Sequence, residues 1–156
     1  MNWLKLTASV AVCQLAGFVG SIFTRAAIPA WYAQLQKPWF TPPNWLFAPM
    51  WISLYLLMAV AAYLVWQKGF AVHGVRPALA IFLLQLLLNA LWSPVFFGLR
   101  SPLAGAVIII LLWLAIVATI FAFAKVSPPA AWLLLPYILW VSLATALNIS
   151  IAILNR

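Results

Sequence analysis

Gln85, Asn89 and Ser93 follow one another at intervals of four residues inside an apolar run, so two amides and a hydroxyl share one helical face. Such groups are costly in hydrocarbon unless they meet protein, water or a ligand. They can orient a bound molecule through hydrogen bonds, or they can glue one helix to another. The last apolar run repeats the arrangement with Tyr137, Trp140, Ala144 and Asn148, flanked by Thr145. Trp51, Tyr55 and Met58 share a face earlier in the chain, and Gln14, Gly17, Ser21 and Thr24 share another near its start. In that first run Gly17 with Ser21, and Ala16 with Gly20, are also small pairs that allow helices to approach closely. Trp51 stands apart from the other aromatics, because it lies about two turns inside its run, deeper than an interfacial belt residue sits.

Other chemistry is excluded by what the chain lacks. There is no Asp or Glu among the 156 residues, so paired-carboxylate hydrolysis and carboxylate-built Mg²⁺ or Ca²⁺ sites are out. Proton relays through intramembrane carboxylates are out as well. One Cys cannot form an internal disulfide, and one Cys with one His makes a poor metal site, so neither a metal nor a cofactor is expected. His73 lies in the short polar stretch from Lys68 to Arg76 and reads as a solvated loop residue. No phosphate-cradling glycine motif and no nucleophile–base pair is present. The basic residues are single: Lys5, Arg25, Lys37, Lys68, Arg76, Arg100, Lys125 and Arg156. Their spacing suits snorkelling toward lipid headgroups rather than tracking a nucleic acid, so no nucleic-acid partner is expected.

The elements that must position these faces are membrane helices. A chain that is 69% hydrophobic and 5% charged is no soluble domain. Runs of about 20 apolar residues cross a bilayer, and the pattern predicts spans over 4–24, 43–66, 77–98, 102–124 and 130–154 of a single transmembrane domain, 1–156. The fourth is apolar nearly all round and is expected to be the most lipid-exposed. Between the first two spans lies a stretch rich in Trp and Pro, including Trp31, Pro38, Trp39, Pro42, Pro43 and Trp45, with Lys37 as its one charge. Pro stiffens the backbone and each indole needs apolar cover, so this loop is expected to be structured and to cover a pocket. A short helix over Ala30 to Gln36 is expected within it. Thr41 and Pro42 should cap the second span, and Pro49 should kink that span's first turns. The basic residues divide evenly between the two membrane sides, so charge alone gives no orientation.

WYAQLQKPWFTPPNW followed by FAPMWISLYLLM resembles the first loop and second helix of the TspO/MBR family, the translocator proteins also called peripheral benzodiazepine receptors. QLLLNALWSPVFFG and PYILWVSLATALN extend the likeness over essentially the whole chain. The resemblance implies an all-α, five-helix integral membrane bundle, dimeric, that binds porphyrins, sterols and synthetic isoquinoline or benzodiazepine ligands. By motif position it implies a pocket of Tyr32, Pro42, Trp51, Asn89, Trp92, Ser93, Trp140 and Ala144. Trp31, Lys37 and Trp39 would form its lid and mouth, with Lys37 or Arg25 placed to meet a ligand anion. No Tyr lies between Leu147 and Arg156, so the cholesterol motif of animal members is absent, which points to a prokaryotic member in a bacterial cell membrane.

Three functions fit these readings. One is a membrane receptor or carrier for tetrapyrroles, in stress or light-linked regulation. Another is an enzyme that degrades porphyrin in light, with Trp51 and Trp140 taking part by electron or radical transfer. The third is a partner in a regulatory membrane complex, its populations shifted by ligand.

Overall fold

The computed structural model describes residues 2–156 and is helical, with five helical stretches long and apolar enough to cross a membrane. The first, α1 (Trp3–Ala27), starts at Asn2, whose side chain accepts the Lys5 backbone N–H at 3.2 Å. Next come α2 (Asn44–Trp66) and α3 (Val75–Ser93), joined by a loop whose Gly69 and Gly74 have φ of +91° and +89°, a region that favours glycine. The fourth, α4 (Pro102–Val126), is capped by the Ser101 hydroxyl, which accepts from Ala104 N at 3.2 Å, and Pro102 sits in the first turn where its missing N–H costs nothing.

Proline chemistry reshapes two spans. Pro94 ends α3, and the chain continues through a π-turn over Pro94–Gly98 closed by Leu99 N on the Pro94 carbonyl at 2.9 Å. That wider turn swings both Phe96 and Phe97 inward, where they are buried. The last span, expected to be continuous, is two helices: α5 (Pro128–Leu133) and α6 (Leu135–Leu154). Pro136 has no N–H to continue the ladder, and the break falls at Leu134 just before it.

In projection the helices form a closed ring. α1 packs on α2 and α3, α3 on α4, and α4 on α5 and α6, while α5 and α6 complete the circuit against α2. Between membrane helices this packing is driven by close van der Waals contact and interhelical hydrogen bonds rather than by the hydrophobic effect. Ala59, Ala61, Ala62 and Ala78, all buried, suit that mode.

Three further expectations need correcting. The most lipid-exposed span is α1, with 17% of its apolar window buried against 33% for α4, because α4 is wedged between α3 and the α5–α6 pair. The loop helix is only a single 3₁₀ turn, Tyr32–Gln34. Thr41 does not cap α2: its hydroxyl donates to the Pro38 carbonyl at 2.7 Å, and α2 begins after Pro43 without a side-chain cap.

Candidate functional site

A cavity of about 500 Å³ lies between α1, α2 and α3. The small polar face of α1 forms one wall, with Gln14, Gly17, Ser21 and Thr24; Phe47, Trp51 and Tyr55 of α2 form another; Asn89, Trp92 and Ser93 of α3 form the back. Helices α1 and α2 come close at Gly17, where a Cβ would stand 2.5 Å from Tyr55 Cε2, so only glycine leaves the ring in place.

The polar stripe on α3 is buried, and its atoms are engaged between helices. The Tyr55 hydroxyl donates to Asn89 Oδ1, Asn89 Nδ2 donates to the Tyr137 oxygen at 2.6 Å, and the Tyr137 hydroxyl donates to Gln85 Oε1 at 2.8 Å. The chain of bonds ends where Gln85 Nε2 meets the Met58 sulfur at 3.8 Å. One helical turn beyond Asn89, the Ser93 hydroxyl donates to the Gly20 carbonyl at 2.8 Å and lies 2.7 Å from the Thr24 hydroxyl. These bonds therefore tie α1, α2, α3 and α6 together, and the participants Tyr55, Asn89, Ser93 and Thr24 also line the cavity.

A second, smaller cavity of about 30 Å³ adjoins the first and shares Phe47, Trp51 and Trp92 with it. Its other walls include Tyr32, Phe96, Phe97, Trp140 and Ala144. Aromatic contacts connect the two: Trp51 lies 5.7 Å from Tyr55 and 6.5 Å from Tyr137, and Phe47 meets Trp140 edge-on at 5.9 Å. Here two polar groups are not satisfied. The Tyr32 hydroxyl and the Trp140 indole N–H are buried without a hydrogen-bond partner among the described residues, in side chains only 4% and 8% exposed. An unmade bond of this kind costs roughly 1–3 kcal/mol. Burial also pushes the Tyr32 pKa up to about 12, which keeps the hydroxyl a neutral donor.

The structure brings Trp51, Asn89, Trp92 and Ser93 to the first cavity and Tyr32, Trp51, Trp92, Trp140 and Ala144 to the second. Pro42 lines neither, and Trp39 points outward, 96% exposed. Trp31 packs edge-on to Phe96 at 5.6 Å, and the Lys37 ammonium sits 4.7 Å from the centre of the Tyr32 ring while donating to the Leu35 carbonyl at 3.1 Å. The loop is thus docked on the π-turn. Two residues absent from the sequence-derived site hold it and its neighbours in place. Asn155 exchanges two hydrogen bonds with the backbone of Gln36, at 3.0 and 2.9 Å. Asn148, buried in α6, accepts the Trp92 indole N–H at 2.9 Å and donates to the Pro102 carbonyl at 2.7 Å. Its place on the Tyr137–Trp140–Ala144 face was the available signal; its partner 56 residues away was not.

The profile of the TspO/MBR family matches residues 9–154. The tryptophan-rich protein TspO of Archaeoglobus fulgidus is 48% identical over 155 residues, covering 99% of each chain. The tryptophan-rich sensory protein of Cereibacter sphaeroides is 36% identical, covering 99% of this chain and 94% of its own. The human translocator protein is 40% identical over 148 residues, covering 94% of this chain and 87% of its own. With five membrane-crossing helices and relatives aligned from end to end, the chain is a multi-pass integral membrane protein that belongs to the TspO/MBR family.

Proposed function

We propose that this protein is a membrane receptor or carrier for tetrapyrroles, which enter the bundle between α1, α2 and α3. One observation carries the reading: a cavity of about 500 Å³ walled by Trp51, Trp92 and Tyr55 adjoins a smaller one where Tyr32 and Trp140 offer unpaired donors. That volume falls within the range of about 300–1,000 Å³ typical of small-molecule sites, which combine apolar walls with a few placed polar groups. A flat macrocycle suits indole and phenol walls. Its acidic side groups suit a protein with a formal charge of +8 and no carboxylate side chains to compete. The relatives named as sensory and translocator proteins support a receptor role. Sterols and isoquinoline or benzodiazepine-type ligands would use the same apolar walls, and the protein is proposed to act as a homodimer.

Titration with protoporphyrin IX in nanodiscs, followed by Trp fluorescence in the dark, tests the proposal. Saturable quenching that weakens in Trp51→Phe and Trp140→Phe is the expected result. Titration curves unchanged in both variants would count against this pocket. A second reading, light-driven porphyrin degradation, is favoured by the contacts of Trp51 with Tyr55 and Tyr137, which place oxidisable rings side by side. Its mark is a new absorbing product under illumination that the Trp51→Phe/Trp140→Phe double variant does not form.

A further inference from the structure

The first cavity is polar at one end and opens sideways. Phe18 of α1 and Ile52 of α2 both line it while being 64% and 55% exposed, so its mouth between the two helices faces hydrocarbon. Arg25 and Asn44, at the loop ends of α1 and α2, line the same cavity and are exposed. From Gln14 to Arg25 the lining follows α1 for about 16 Å at 1.5 Å per residue, roughly half the thickness of the hydrocarbon core. The cleft therefore has a cation at headgroup depth and aromatic rings below it, with the amides of Gln14 and Asn89 at its deep end.

The two cations considered for this mouth are in different situations. Lys37 is not among the lining residues; its ammonium is engaged by the Leu35 carbonyl and the face of Tyr32. Arg25 lines the cavity, and a chain without Asp or Glu offers its guanidinium no side-chain carboxylate. An amphiphile lying in the leaflet could slide in between α1 and α2 without changing depth and keep its anion at the interface throughout.

We infer that Arg25 is the anion anchor of this cleft, and that the cleft selects amphiphiles carrying a carboxylate at headgroup depth on an apolar body. This rests on the tetrapyrrole reading and adds to it the group that recognises the acid. A planar fork of N–H donors suits a carboxylate better than the point charge of Lys.

The test compares protoporphyrin IX with its dimethyl ester, which keeps the ring and removes both charges, by Trp quenching in phosphatidylcholine nanodiscs in the dark. The wild type is expected to bind the diacid about three- to tenfold more tightly than the ester, the size of an exposed to half-desolvated ion pair. Arg25→Gln should abolish that preference, and saturable quenching by the ester shows that the variant's cavity is intact. Arg25→Lys should keep part of the preference, and Lys37→Gln all of it. Equal binding of acid and ester by the wild type overturns the anchor, although saturable quenching would leave the tetrapyrrole reading standing. A preference that survives Arg25→Gln, or an equal loss of both ligands in that variant, also overturns it. Absence of saturable quenching by either compound removes the tetrapyrrole reading itself. Adding phosphatidylglycerol separates the remaining source of an anion: if it weakens ester binding to the wild type as much as diacid binding, and weakens neither in Arg25→Gln, the group held by Arg25 is a lipid phosphate and the commitment to a ligand carboxylate fails.

Discussion

The centre of the bundle and the region beneath the first loop use the same kinds of side chain and treat them in opposite ways. At the centre, Tyr55, Asn89, Tyr137 and Gln85 form one connected hydrogen-bond chain across α2, α3 and α6. Beneath the loop, Tyr32 and Trp140 are as well buried, yet their donors go unpaired next to a cavity. A buried polar network is worth most when every member is satisfied, and a half-satisfied one is a liability. The first network is closed and ties helices together, whereas the two open donors stand beside a cavity, where the proposed ligand would meet them. Trp92 stands between the two, its indole N–H fixed by Asn148 and its ring stacked on Phe96 at 5.3 Å.

The sharpest way to break this contrast is to cut the closed network at its middle. Asn89→Leu removes the acceptor for Tyr55 and the donor to Tyr137, leaving two buried hydroxyls each short of a partner. The expected cost is about 1–3 kcal/mol, two membrane hydrogen bonds at roughly 0.6–1.7 kcal/mol each. Thermal unfolding in detergent should show it as a lower Tm; an unchanged Tm would mean the network is not cohesive. Gln85→Leu cuts the same chain at its end, away from both cavities. Because membrane hydrogen bonds average less than their aqueous counterparts suggest, a smaller loss of about 1 kcal/mol is expected. Ligand titration of that variant should be unchanged, which separates cohesion from binding.

Much of this was readable from residue spacing. Periodicity survives whatever the partner, so Gln85, Asn89 and Ser93 had to share a face, as did Tyr137, Trp140 and Asn148. The five spans and the structured loop follow from composition, because hydrocarbon leaves helices little alternative. What spacing cannot supply is which face meets which. The exposure of α1 rather than α4 depends on the ring order of the helices. The release of Arg25 and the engagement of Lys37 depend on the path of the loop, which a 3₁₀ turn and the Gln36–Asn155 clamp decide. Pro136 was visible in the sequence, but a proline inside a membrane helix is often tolerated, and only the packing shows that the chain breaks before it.

The link between the two regions is tested at Asn148. Asn148→Leu frees the Trp92 indole, which loses its acceptor while its ring still fills the wall shared by the two cavities. Protoporphyrin IX affinity should fall about three- to tenfold, equivalent to the roughly 1 kcal/mol of one hydrogen bond. Trp92→Phe combined with Asn148→Leu should lose little beyond the larger single effect, since both remove the same bond. Fully additive losses would show that Asn148 acts on the site by another route, such as its bond to the Pro102 carbonyl.

The smallest effect is the most discriminating. Tyr32→Phe deletes a hydroxyl that has no partner among the described residues, so the ligand-free protein should lose nothing and should gain up to about 1 kcal/mol, whereas Tyr55→Phe, which removes a bonded hydroxyl, should cost about that much. The pH profile supplies an independent check. Burial raises the Tyr32 pKa to about 12, above the value near 10 expected of an unfolded tyrosine. Between those values the unfolded chain loses the proton and the folded one keeps it, so the contribution of Tyr32 to stability is full below about pH 10 and is lost as pH rises toward about 12. Unfolding curves taken across that interval should therefore fall less steeply in Tyr32→Phe than in the wild type. A clear loss of stability in the variant at neutral pH would mean that the Tyr32 hydroxyl is already paired in the ligand-free protein, and equal slopes would mean that it is in water rather than buried; in either case the distinction between a closed network and an open one would fail where it matters most.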